Sequence, residues 1–96
     1  MTDIRLISDR KRELRPLVEA ALANELRLLE AGIGQSEYRV QEFEKRYQMS
    51  SREFISRYEK DEMEETMDFA EWIGEFRLLK RLKEKAETLK GVRFEN

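Results

Sequence analysis

Residues that break helices are scarce in this chain. Its 96 residues contain one proline, Pro16, and four glycines, and alanine, leucine, glutamate, lysine and arginine are abundant. These residues favour helix over most of the chain. In the first third, apolar residues recur at steps of three and four and form one broad stripe: Leu14, Leu17, Val18, Ala21, Leu22, Leu26, Leu28 and Leu29. The pattern predicts an all-α fold.

Local signals divide this helical content into three or four helices. The first helix is predicted to begin after Ser8 or Asp9 and to end at Ala31, because the glycines within residues 32–34 tolerate the backbone of a helix end. A second helix then covers residues 36–47. We expect the first and last helices to be long and to pack antiparallel.

Two further helix starts are marked by capping residues. Ser50 is followed three residues later by Glu53, which is the spacing of a capping box. Thr66 or Asp68 caps the last helix, and Gly91 ends it. Because 42% of this short chain is charged, its core must be thin, and dimerisation is the expected route by which such a core is completed.

The domain organisation follows from these helices. We expect an N-terminal arm of residues 1–8, a helical domain of residues 9–91 and a C-terminal tail of residues 92–96. The segments Ile4-Arg5-Leu6 and Val92-Arg93-Phe94 alternate as strands do, so either end could add a strand to a partner's sheet. A disordered terminus is the favoured expectation at each end, and strand addition is the alternative.

Composition argues against several classes of function. The chain has no cysteine and no histidine, which removes disulfides, thiolate metal sites and the commonest general base. Glu64, Asp68 and Glu71 would share one face only if a single helix held all three. We therefore expect no enzymatic activity, no cofactor and no metal. No apolar run reaches the roughly 18 residues that a membrane span needs, and the start is not a signal peptide, so a cytoplasmic location is expected.

Acidic residues are concentrated in one block. Residues 59–75 hold eight acids and a single base, Lys60, in a chain whose net charge is only −2. Such a block predicts a basic partner. Trp72 lies beside it, and tryptophan is a preferred anchor of protein interfaces. The predicted partner-binding residues are Tyr58, Glu59, Asp61, Glu62, Glu64, Glu65, Asp68, Phe69 and Trp72.

Part of the chain resembles a known family. The residues concerned are Phe43-Glu-Lys-Arg-Tyr-Gln-Met-Ser-Ser-Arg-Glu-Phe54, Arg57-Tyr58 and Met67-Asp-Phe-Ala-Glu-Trp72, and the match covers about 30 of the 96 residues. They resemble short helical proteins that are encoded beside small toxin genes in prokaryotes and treated as antitoxins of type II toxin–antitoxin pairs. Gln48 stands where those proteins carry glycine.

The resemblance implies a function that agrees with the charge pattern. It implies that the chain binds and neutralises a small basic toxin, of which ribonucleases are the expected class. In this hypothesis the acids from Glu59 to Glu71 cover the toxin's basic cleft. Phe69, Trp72 and Phe76 would either anchor the contact or hold the helix in place.

Two other classes of function stay open. A homo-oligomeric structural or adaptor protein would need no toxin and would be stable alone. A DNA-binding regulator is less favoured. A strand at Ile4–Ile7, then a helix, then a second helix from Gly34 is similar to a ribbon-helix-helix repressor, but the first helix would be about twice as long as that fold permits. The bases of the last helix also surround it rather than line one face.

Overall fold

The computed structural model describes the backbone of residues 2–4 and 11–94 and the side chains of residues 14–92. In chain order the elements are strand β1 (Thr2–Ile4), helices α1 (Lys11–Tyr47), α2 (Ser51–Glu59) and α3 (Met67–Lys90), and strand β2 (Val92–Phe94). They form a rod with extents of 59 × 22 × 17 Å. The all-α class is confirmed, because the helices hold most of the described residues and the two strands have only three residues each. Within them, no helix is both long enough and apolar enough to cross a membrane.

Ion pairs between α1 and α3 show that the two helices are antiparallel. Lys90 lies 4.0 Å from Glu30, and Lys83 lies 3.5 Å from Glu37. Farther along the same interface, Asp68 at the start of α3 contacts the end of α1. Residue numbers therefore increase along α1 in the direction in which they decrease along α3. This confirms the predicted antiparallel packing of the long first and last helices.

The expectation that the first helix ends at Ala31 is wrong. α1 continues through Gly32 and Gly34, and neither glycine has a positive φ. Glycine inside a helix costs about 1 kcal/mol relative to alanine, but packing on a second helix outweighs so local a preference. Leu29 and Val40, on either side of the glycines, are both buried. The first two predicted helices are therefore one.

α1 ends in a conformation that favours glycine, although the residue there is Gln48. Gln48 has a φ of 49°, and the Met49 N–H donates to the Glu44 carbonyl oxygen at 3.2 Å. This bond, which spans five residues around a left-handed residue, is typical of a Schellman helix end. The turn thus keeps the geometry that favours glycine although glutamine occupies it.

Ser50 is confirmed as the cap of α2, and of the two residues expected at the start of α3, Thr66 is the cap and Asp68 is not. Ser50 Oγ accepts the Glu53 N–H at 3.2 Å, and Thr66 Oγ1 accepts the Phe69 N–H at 3.1 Å. The Glu53 carboxylate accepts instead from Arg57, one turn farther along α2, at 2.9 Å. Gly91 caps the end of α3 as predicted.

The two ends of the chain pair with each other. β1 and β2 run parallel, with Thr2 opposite Val92 and Ile4 opposite Phe94. Residues 92–94 form a strand, as their alternation allowed, but the strand pairs within the chain and not with a partner's sheet. The N-terminal strand begins two residues before the alternating segment Ile4-Arg5-Leu6. Arg5 and Leu6 lie outside the described residues. Three-residue strands add little stability alone, so this pair depends on the helices that bring the ends together.

Candidate protein-binding site

An aromatic cluster fixes the end of the rod where α2 meets the long helices. Phe43 from α1, Phe54 from α2, and Trp72 and Ile73 from α3 form its buried centre. The rings of Phe54 and Trp72 are stacked, with centroids 3.9 Å apart. Both side chains are fully buried. The cluster therefore fixes the position of α2 through side-chain packing, in addition to its covalent connections to α1 and α3.

Trp72 belongs to this core, and the expectation that it anchors a partner is wrong. Its indole Nε1–H donates to Ser51 Oγ at 2.8 Å, and the Ser51 N–H in turn donates to Glu44 Oε2 at 2.8 Å. A fully buried side chain with its one donor satisfied offers no surface for a partner. Of the two roles that the resemblance implied, Trp72 takes the one that holds the helix in place.

Asp68 is committed to contacts with α1. Its Oδ2 accepts from the Tyr47 hydroxyl at 2.5 Å and from Arg46 Nη1 at 2.9 Å. The Tyr47 hydrogen bond, followed by the one from Arg46, lowers the pKa of Asp68, and the same carboxylate raises the pKa of Tyr47. Asp68 therefore fastens the first turn of α3 to the last turn of α1. Of the other acids of the block, five lie before Asp68 in residues 59–65, and Glu71 is exposed one turn after it.

Residues 59–65, here called the acidic linker, run from the last residue of α2 through the loop that precedes Thr66, and this segment is fastened at its start. Asp61 has a φ of 59°, its N–H donates to the Tyr58 carbonyl oxygen at 3.0 Å, and the Glu62 N–H donates to the Arg57 carbonyl oxygen at 2.9 Å. These two bonds make a complete Schellman motif at the end of α2. The chain thus turns sharply at a fixed position.

The middle and the end of the acidic linker are also held. Met63 is half-buried and packs against the aromatic cluster. Immediately after the linker, Thr66 caps α3. With one apolar side chain inward and a helix cap at each end, the remaining side chains of the linker face solvent.

The acidic linker presents five exposed carboxylates on this frame: Glu59, Asp61, Glu62, Glu64 and Glu65. Among the side chains of residues 14–92, none of the five forms an ion pair, although other exposed acids such as Glu37 and Glu53 do. The linker contains one base, Lys60. Five like charges in seven residues repel one another, so a cation that approaches them lowers this electrostatic repulsion.

Apolar surface borders the linker at three residues. Met67, the first residue of α3, is 77% exposed. Sequence reasoning missed it, and the available signal was an apolar residue between the cap Thr66 and Asp68, outside the apolar seam of its helix. Tyr58 and Phe69 are half-buried against the cluster, so each presents only part of its ring. Met67 is thus the largest apolar contact that this end offers.

The structure therefore brings the predicted residues together in two layers. The outer layer holds the five linker acids, with Tyr58 and Phe69 partly exposed beside them. The inner layer holds Trp72, which is wholly internal, and Asp68, which is bonded to α1. The partner-binding role of the outer layer stays a prediction.

The DNA-binding alternative loses one of its two supports. The similarity to a ribbon-helix-helix repressor required a helix break near Gly34, and α1 is continuous there. The bases of α3 are exposed, and two of them, Lys83 and Lys90, pair with acids of α1. Within the described residues, no group of three or more acidic, histidine or cysteine side chains is arranged to hold a metal ion.

Comparisons with protein-family models, with curated proteins and with solved structures found no match to this chain.

Proposed function

We propose that this chain binds and neutralises a small basic protein through the acidic linker, as an antitoxin does. The observation that carries the proposal is the set of five exposed carboxylates, none of them paired among the described side chains, on a segment that is fixed at both ends. The class of partner comes from the resemblance of residues 43–72 to antitoxins of type II pairs. That resemblance implies a small basic toxin, with ribonucleases as the expected class.

The electrostatics of the linker suit fast and selective capture. Exposed acids attract a basic surface at long range and raise the association rate. Because the five carboxylates have no partners among the described side chains, no internal ion pair must break before they meet a cation. The caps at Asp61 and Thr66 hold the loop, so binding orders few additional backbone angles.

Most of the binding free energy would come from apolar contact. Exposed ion pairs contribute about 0–1 kcal/mol each, whereas a buried anchor can contribute 2 kcal/mol or more. Met67 is exposed and adjacent to the acids, so it is the proposed anchor, with Tyr58 and Phe69 at its sides. The acids then set rate and specificity.

Neutralisation needs no chemistry from this chain. A ribonuclease binds the phosphates of RNA with lysine and arginine side chains. Carboxylates that occupy those side chains compete with RNA for the same charges. An inhibitor of this kind requires position and charge, and both are present in the linker.

Co-expression with the adjacent reading frame tests the proposal. The expected result is that the neighbouring protein alone stops growth, and that this chain restores growth and co-purifies with it. A harmless neighbour that does not bind would overturn the antitoxin function.

Charge reversal tests the site. The linker variant Glu62→Lys, Glu64→Lys and Glu65→Lys should lose rescue and co-purification while keeping its helix content. A matched control, Glu42→Lys, Glu84→Lys and Glu87→Lys, makes the same change in net charge at exposed helical positions. The control should keep both activities. Rescue by the linker variant would show that the surface is wrong even though a partner exists.

A further inference from the structure

α1 presents two seams along its length. One faces α3 and includes the buried residues Leu29, Ser36, Val40 and Phe43. The other lies on a neighbouring face and repeats at steps of three and four without interruption. We call it the outer seam, and its eight residues are Leu14, Leu17, Ala21, Asn24, Leu28, Ala31, Gln35 and Tyr38.

The outer seam has the properties of an interface. Leu17 is 69% exposed, Leu28 59% and Tyr38 58%, so three of its four large side chains are only lightly covered, and the fourth, Leu14, is half-buried. None of its eight residues is charged, although 42% of the chain is. Alternating steps of three and four place side chains on one stripe for a facing helix, and the stripe is about 36 Å long at 1.5 Å per residue.

The charges at the two ends of the rod favour a second copy of the chain, placed antiparallel, as the molecule that covers the outer seam. α1 begins with Lys11, Arg12 and Arg15 against the single acid Glu13 in its first two turns, and Arg15 also pairs with Glu19 at 2.8 Å. The acidic linker lies at the opposite end of the 59 Å rod. A second copy placed parallel would set the two acidic linkers side by side. A second copy placed antiparallel would set each linker near the basic start of its partner's α1, which is the favourable arrangement.

The residue sizes fit the antiparallel arrangement. A two-fold axis midway along the outer seam sets Ala21 opposite Ala31 and Asn24 opposite Leu28. The alanines on either side of the axis allow the helices to approach closely, and the larger side chains Leu14 and Tyr38 meet at the ends. The contact is the same surface on both copies, as a two-fold dimer requires.

We propose that two copies of this chain form an antiparallel dimer through the outer seam of α1. The dimer does not depend on the proposed function. It leaves both acidic linkers open, at opposite ends of the assembly, so each dimer would present two equivalent partner sites.

Sedimentation equilibrium over a concentration series tests the dimer. The wild type should be a dimer, and Leu17→Lys with Leu28→Lys should raise its dissociation constant at least about a hundredfold. Both leucines are exposed in the single chain, so helix content should not change. The control, Met67→Lys with Leu78→Lys, replaces two exposed apolar residues outside the seam and should stay dimeric. A monomeric wild type, or a dimer that survives the seam variant, would overturn the proposal.

Cysteine cross-linking tests the orientation. The chain has no cysteine, so Ala21→Cys and Ala31→Cys each carry a single thiol. In the antiparallel dimer, a mixture of the two variants should form a disulfide between unlike chains. Either variant alone should not, because like positions lie about 15 Å apart, beyond the reach of a disulfide. Efficient cross-linking of Ala21→Cys with itself would show a parallel dimer and overturn the orientation.

Discussion

Gln48 holds a backbone conformation that favours glycine, and replacing it should stabilise the protein. Its φ of 49° lies in the left-handed region, where a side chain with a Cβ costs about 1–2 kcal/mol. Glycine removes this cost but adds freedom to the unfolded chain, which offsets roughly 0.4–1 kcal/mol. Gln48→Gly should therefore raise the free energy of unfolding by about 0.5–1 kcal/mol. For a domain of this size, that corresponds to a Tm about 2–8 °C higher.

A second glutamine of the same helix supplies the control. Gln41 is exposed and lies inside α1, so Gln41→Gly makes the same chemical change in a right-handed backbone. It should lower the free energy of unfolding by about 0.5–1 kcal/mol. Both variants and the wild type would be unfolded with urea and by heat at one protein concentration, with circular dichroism at 222 nm as the signal. If Gln48→Gly destabilises the protein as much as Gln41→Gly does, the left-handed helix end is wrong.

Three further predictions concern the fold that supports the linker. Asp68→Asn should destabilise the protein at neutral pH; because folding lowers the pKa of Asp68, urea titrations should show the wild type's advantage lost as pH falls below about 4. Gly34→Ala should raise Tm by adding about 1 kcal/mol of helix propensity, whereas Gly32→Ala should gain less, since its Cβ would lie 3.3 Å from a side-chain carbon of α3. Trp72→Phe should cost about 2 kcal/mol in urea titrations by shrinking a buried ring and leaving Ser51 without its donor.

Local signals predicted the parts of the fold that local chemistry decides. The caps at Ser50 and Thr66 lie next to the helices that they begin, so a spacing of three residues was enough to find them. The break expected at Gly32 failed for the opposite reason. There the local preference for a helix end is smaller than the stabilisation from packing on α3, whose Leu82 lies more than 40 positions away in the sequence.

The sequence located the acidic residues of the candidate site, but it did not show which of the predicted residues are buried or bonded within the fold. Periodicity placed Trp72 on the apolar seam of α3, but a tryptophan on such a seam suits a core and an interface equally well. Its partner Ser51 and the Tyr47 that binds Asp68 are each 21 positions away, so no local pattern reveals those bonds. Met67 was overlooked because a single exposed apolar residue forms no periodic pattern that a sequence analysis could detect.

The acidic linker is the centre of this account, and the affinity for the co-purified partner tests it most directly. Isothermal titration calorimetry would give Kd for the wild type, for the linker variant Glu62→Lys, Glu64→Lys and Glu65→Lys, and for the control reversed at Glu42, Glu84 and Glu87. If the acidic linker binds the partner, the linker variant should raise Kd by about a hundredfold or more, and the control should stay within a few-fold of the wild type. Equal Kd values for the two variants would contradict it.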